Sequence, residues 1–232
     1  MSTDGFLVLA LQTVAEPTEI ALLEGERILA TCEIAERFAV CRQLVPQIAS
    51  LLVGRAKGMQ ELDLIGVGIG PGSFTGIRIG VGTAKALAHA LEKPLLGVDT
   101  LEALAFSLKG QYTSIIALLD AGRGKYFAGC YDPGLQLLRA PAALNAEALR
   151  VWLETAPANS VVCGAIDQNI KEIAEEYGME IVEKSISAAM VGKLALGKFT
   201  RRGGDSPLAL QPLYLRASTP EERASSAIAD GN

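Results

Sequence analysis

GVGIGPGSFTGIRIGVGTAKALA, residues Gly66 to Ala88, decides the fold of this chain. An apolar run of β type, Leu64 to Ile69, meets a hard turn at Gly70-Pro71-Gly72, and Ser73 stands where it can cap a helix reaching His89. Gly76, Gly80 and Gly82 lie inside that helix, each costing about 1 kcal/mol relative to Ala. Gly72, Gly76, Gly80, Ala84 and Ala88 recur every fourth residue and form a ribbon without bulk along one side. A ribbon of this kind admits close approach by another backbone or by an anion. A phosphate and a second helix are the two candidates.

Glycine-rich strand-to-helix turns aim free N–H groups at anions, but the familiar phosphate spacings are missing. Gly124-Lys125, Gly192-Lys193 and Gly197-Lys198 are followed by Tyr, Leu and Phe rather than Ser or Thr. Gly70-Pro71-Gly72 reaches its next glycine only at Gly76, one residue too late for a dinucleotide turn. A nucleophile elbow fails because Pro71 and Thr75 flank Ser73 at the positions that need glycine.

Working outward, Phe6–Gln12, Glu19–Leu23 and Arg27–Ala35 read as three strands. A helix is predicted from Glu36 to Val53, with Phe38, Cys41, Leu44, Val45, Ile48, Leu51 and Leu52 at helical spacing and Pro46 as a kink. Strand Leu64–Gly68, the ribbon helix, strand Leu95–Val98 and a helix capped by Asp99 complete a first series. A second series follows: strands Ile115–Asp120, Lys125–Tyr131 and Leu135–Arg139, helix Asn145–Thr155, strand Ser160–Cys163 and helix Asp167–Tyr177. Strand Glu180–Val182 and a helix over Ser187–Arg201 end it. The order βββαβα thus occurs twice, as in the two-lobed actin/hexokinase/Hsp70-like (ASKHA, ribonuclease H-like) α/β fold. The boundaries expected are a first lobe over 1–108, a second over 109–186 and a helix with tail over 187–216 that packs back on the first. A disordered tail is expected over 217–232, where residues are small, polar and charged.

The chain has 232 residues, 50% of them hydrophobic, ample for a core. A net charge of −5 argues against a broad nucleic-acid surface. Cys32, Cys41, Cys130 and Cys163 are scattered without a C-x-x-C pair, and read as reduced thiols. The richest apolar run is interrupted by Arg78 and Lys85, and the N-terminus lacks a secretory pattern, so a cytoplasmic protein with no membrane contact is expected. His89 is the chain's one histidine, which leaves neither a catalytic triad nor a convergent metal site to build.

GPGSFTGIRIGVGTAKALA closely resembles the signature of the TsaB (YeaZ) family, which serves threonylcarbamoyladenosine formation in tRNA. The opening hairpin Leu7–Leu23, the segment Leu118-Leu119-Asp120-Ala121-Gly122-Arg123-Gly124 and Pro212-Leu213-Tyr214-Leu215-Arg216 agree in order. The resemblance implies the same two-lobed fold and a non-catalytic subunit without cofactor that scaffolds the transferase TsaD, with the ATPase TsaE joining. It implies a homodimer when TsaD is absent, and contact with tRNA only through the complex. It further implies that the two first-lobe helices form the interface, placing there Leu44, Ile48, Leu51 and Leu52, then Ser73, Gly76, Gly80, Thr83, Ala84 and Leu87. Nucleotide-binding members of the wider fold carry an acidic residue at the end of the first strand, where this chain has Gln12, a poor magnesium ligand. Asp120 holds the corresponding second position. A stand-alone ASKHA-type ATPase or small-molecule kinase is the rival reading, and Arg123 is a candidate anion contact or a solvated turn residue.

Overall fold

The computed structural model describes residues 5–215. Arg216 and the expected tail over 217–232 lie outside the described residues. The first lobe runs β1 (Leu7–Gln12), β2 (Thr18–Glu24), β3 (Arg27–Ile34), α1 (Val40–Val53), β4 (Leu64–Gly70), α2 (Phe74–Leu91), β5 (Leu95–Asp99) and α3 (Thr100–Phe106). The second runs β6 (Ser114–Gly122), β7 (Lys125–Tyr131), β8 (Leu137–Asn145), α4 (Ala146–Glu154), β9 (Ser160–Gly164), α5 (Gln168–Glu176) and β10 (Glu180–Glu183). Helix α6 (Ala188–Arg202) follows.

The two sheets repeat one plan. The first has the order β3-β2-β1-β4-β5, and the second, β10-β9-β6-β7-β8, has the same order read from the other side. In each, the first three strands are antiparallel neighbours, and the fourth and fifth join parallel through helical crossovers. The helices start where their side chains can satisfy orphan amides. Ser73, Asp99, Asn145, Asp167 and Ser187 each accept a backbone N–H at the head of α2, α3, α4, α5 and α6.

Two strand-period patterns build the cores. Along β6, Ile116 and Leu118 face one way, onto Leu149 and Leu153 of α4 and Ile170 and Ile173 of α5. Ile115, Ala117 and Leu119 face the other way and join the first lobe's core. Helix α3 lies at that junction, touching β6, β7 and β9 as well as β4, β5 and α6. Helix α6 covers the first sheet, touching β1, β2, β4 and β5. Its fit is close: a Cβ on Gly192 would stand 2.6 Å from Leu23 Cδ1, and one on Gly66 of β4 would stand 2.8 Å from Ala195 Cβ. The Lys198–Glu102 ion pair, mostly buried, fastens α6 to α3.

One strand differs from its sequence reading. Instead of Leu135–Arg139, β8 spans Leu137–Asn145 and continues through Pro141. It is the edge of its sheet, where a residue without an N–H leaves no ladder bond unmade, and its register on β7 slips near Cys130. The first helix begins at Val40 rather than Glu36, after a single 3₁₀ turn over Arg37–Ala39.

Candidate functional site

The turn after β1 and the head of α2 form one unit. Gln12 is buried, and its amide is fully engaged by backbone. Its Oε1 accepts from the amides of Val14 (2.8 Å) and Ala15 (3.1 Å), while Nε2 donates to the carbonyls of Pro17 (3.2 Å) and Ile186 (3.4 Å). The side chain at the end of the first strand therefore holds the turn and ties it to the segment preceding α6.

The turn then seats in the glycine ribbon. Thr13 Oγ1 donates to the Gly76 carbonyl at 2.7 Å, and the Ser73 amide donates to the Val14 carbonyl at 2.7 Å. A Cβ at Gly76 would lie 1.8 Å from the Thr13 carbonyl oxygen, and one at Gly80 would lie 2.1 Å from Thr13 Oγ1. What approaches the ribbon is the chain's own β1–β2 turn, neither a phosphate nor a second helix. This side of α2 faces into its own lobe, with Gly80 and Ala84 buried.

Leu44, Ile48 and Leu52 are likewise buried under α1, on the stripe that covers the first sheet. Leu51, Ser73, Gly76, Thr83 and Leu87 are half-buried. The outward surface belongs to residues the sequence reading left off the site. On α2 these are Thr75, Gly82, Ala86 and Ala90, exposed beside half-buried Ile79, Thr83 and Leu87. A Cβ at Gly82 would meet nothing within 4 Å. On and before α1 they are Phe38, 91% exposed, with Val45 and Val53. The available signal was positional for two of them: Val53 falls off the Leu44–Ile48–Leu52 stripe and Gly82 falls off the four-residue ribbon, while Val45 shares the helical spacing of the buried residues and gave none.

Between the lobes lies a cleft of about 850 Å³ whose walls include Val14, Ser73, Ile77, Asp120, Phe127 and Leu213. Asp120 is exposed, and its Oδ1 accepts from the Gly122 amide at 2.7 Å, ordering a turn in which Gly122, Arg123 and Gly124 all have positive φ. The carboxylate is thus a turn-former facing an open cleft. Among the described residues no three His, Cys, Asp or Glu side chains converge as a metal site. His89 is exposed near the far end of α2.

A family model described as TsaD: tRNA N6-adenosine threonylcarbamoyltransferase matches residues 34–186. The tRNA threonylcarbamoyladenosine biosynthesis protein TsaB of Haemophilus influenzae is 28% identical over 231 residues, 90% of this chain and 93% of that protein. The chain belongs to the TsaB/YeaZ family. TsaB of Escherichia coli is 33% identical over 127 residues, a match spanning 54% of each chain, about half of that relative's length. YeaZ from Pseudomonas aeruginosa superposes with a TM-score of 0.74 at 26% identity, covering 90% of this chain and all of that one. The ethanolamine utilization protein EutJ from Carboxydothermus hydrogenoformans, 12% identical, matches at a TM-score of 0.52 over 84% of this chain, a likeness of fold alone. The TsaB/YeaZ fold is therefore the duplicated, two-lobed one that the order of elements predicts.

Proposed function

We propose that this TsaB/YeaZ-family protein is a non-catalytic, cytoplasmic subunit of the machinery that makes threonylcarbamoyladenosine in tRNA. Its first lobe binds a TsaD-type transferase, a TsaE-type ATPase joins that assembly, and the same face pairs two copies when TsaD is absent. The observation that carries this reading is the outward face of α1 and α2. Phe38, Val45 and Val53 stand exposed there, and Gly82, Thr83 and Ala86 present a low ridge onto which another helix can pack closely. Leu51, Ser73 and Leu87 remain at its margin, and the buried Leu44, Ile48 and Leu52 support it from below.

The engaged amide of Gln12 supports a non-catalytic role, because its oxygen already accepts two backbone hydrogen bonds. Net charge −5 supports reaching tRNA through the partner rather than by this chain's own surface. Among the described residues no helix is long and apolar enough to cross a membrane.

Gly82→Arg tests the face directly. The site is open in the free chain, so the variant folds, and its melting temperature stays level or rises. Size-exclusion chromatography with a TsaD-type partner is expected to show co-elution lost. A folded variant that still co-elutes removes this face from the assembly. Steady ATP turnover by the isolated chain, lost in Asp120→Ala, would instead establish the stand-alone ASKHA-type ATPase or kinase.

A further inference from the structure

Beyond α6 the chain returns across the first lobe in two unlike parts. The root is anchored repeatedly. The Asp205 amide donates to the Leu95 carbonyl at 2.7 Å, and Asp205 Oδ2 accepts from the Gly97 amide at 2.8 Å. Leu210 packs on Gly97, where a Cβ would lie 2.6 Å from its Cδ1, and its carbonyl accepts from Lys85 Nζ at 3.1 Å.

The tip, Leu213 to Leu215, is held differently: the Leu213 carbonyl lies close on Gly70, where a Cβ would stand 2.6 Å from its oxygen, and Leu215 packs against the core. The Leu213 amide donates to the Ile69 carbonyl at 2.8 Å. The Tyr214 ring rests on Phe74 with centroids 4.9 Å apart, and its hydroxyl accepts from Arg78 Nε at 3.2 Å. The Arg78 guanidinium in turn lies 3.9 Å over the Phe74 ring. Tyr214 and Arg78 are both exposed, so water competes for this clasp.

Position makes the tip more than an ordinary tail. Leu213, Tyr214 and Leu215 wall the interlobe cleft beside Leu119 and Phe127 of the second lobe. Leu213 and Leu215 also wall a second cavity of about 500 Å³, beside Tyr131 and Leu137. A three-residue segment thus stands between two openings at the lobe junction, clasped at the end of β4 and the head of α2, with Leu215 packed against the core that both lobes share.

We propose that Leu213–Leu215 is a releasable strap which covers the apolar wall of the interlobe cleft, with Tyr214, Phe74 and Arg78 as the clasp. Release leaves the root in place, frees the end of β4 and the head of α2, and opens the apolar walls of the cleft to solvent and ligands. This does not depend on the partner assigned to α1 and α2.

The test compares the full chain with Tyr214→Ala, Tyr214→Phe and, as a control on the exposed root, Leu208→Ala. Hydrogen exchange at the Leu213 and Ile77 amides reads the strap and the helix head. Fluorescence of an anilinonaphthalene sulfonate dye reads exposure of the cleft. In Tyr214→Ala, exchange at Leu213 is expected to rise about tenfold or more and dye fluorescence at least about twofold, with the melting temperature little changed. Tyr214→Phe keeps the ring contact and gives a smaller rise, and Leu208→Ala matches the wild type. Unchanged Leu213 exchange in Tyr214→Ala would show that the clasp does not hold the tip. Faster Leu213 exchange without added dye binding would show that the tip does not cover the cleft's apolar wall. A uniform rise in exchange with early melting would make the segment an ordinary part of the core. Any of these three results overturns the proposal.

Discussion

Gln12 and Asp99 are polar side chains that each accept two amide hydrogen bonds from the residues just after them, yet only Asp99 carries charge while it does so. The carboxyl of Asp99 caps α3, keeps a little exposed surface at the wall of the second cavity, and is otherwise surrounded by protein. Burial is the largest influence on it and outweighs the bonds from Glu102 and Leu101, raising its pKa from 3.8 to about 6. A carboxyl whose folded pKa exceeds its unfolded one binds more protons when folded, so its contribution to stability falls as pH climbs from about 4 to about 6 and stays low above that. Asp99→Asn keeps a capping oxygen and removes the charge. In urea titrations the variant is expected to gain about 1–2 kcal/mol over the wild type at pH 7.5, the lower part of what two pKa units allow, since some solvent contact remains. At pH 4 the gain should vanish. An equal difference at both pH values would mean that Asp99 is not buried as a charge. The capping role was legible in the sequence, from Asp99 followed three residues later by Glu102; the raised pKa was not, because it comes from burial, which only the packing of the folded chain around the carboxyl supplies.

Helix α2 carries glycines on two sides, and the sequence distinguishes the sides less well than the structure does. The four-residue repeat of small residues was plain in the sequence, and so was the close approach it permits. What approaches was not legible, because Thr13 is 63 residues from the Gly76 carbonyl it donates to and nothing local announces the meeting. Two single substitutions separate the sides. Gly80→Ala raises helix propensity, but its methyl carbon must stand 2.1 Å from Thr13 Oγ1 unless the turn moves, so a net loss of about 1–3 kcal/mol is expected. Gly82→Ala makes the same chemical change facing open space and is expected to gain about 1 kcal/mol. Thermal or urea denaturation of the two variants decides the matter. Equal effects of the same sign would mean that the β1–β2 turn does not sit in the ribbon as described. The shift of β8 to Leu137–Asn145 has a related cause: Pro141 reads locally as a strand breaker, and only its edge position makes it harmless.

The duplicated order of strands and helices was legible because each element has its own period and its own cap, and two lobes follow from repeating it. How the lobes share their cores follows from none of those local signals. Ile115, Ala117, Leu119, Phe127 and Tyr131 belong by sequence to the second lobe, yet they sit in one cluster with β1, β4 and α6. Helix α6 comes after the second lobe in the chain and lies against the first sheet, where Val191, Leu194 and Ala195 are buried. A fragment of residues 1–108 consequently lacks the cover on one face of its sheet and exposes Gly66 and Ala10 where α6 should seat. Each buried Leu or Val side chain left exposed forgoes roughly 1.5–3 kcal/mol, and several such side chains exceed the whole stability of a typical domain. The fragment alone is therefore expected to collapse without fixed packing, giving a poorly dispersed amide spectrum by nuclear magnetic resonance. Adding residues 187–215 as a separate peptide should restore dispersion, because that segment brings both α6 and the strand-like contact of Asp205 with Leu95. A well-dispersed spectrum from 1–108 alone would show that the first sheet is stable with one face bare, and that α6 is an addition to the lobe rather than part of its core.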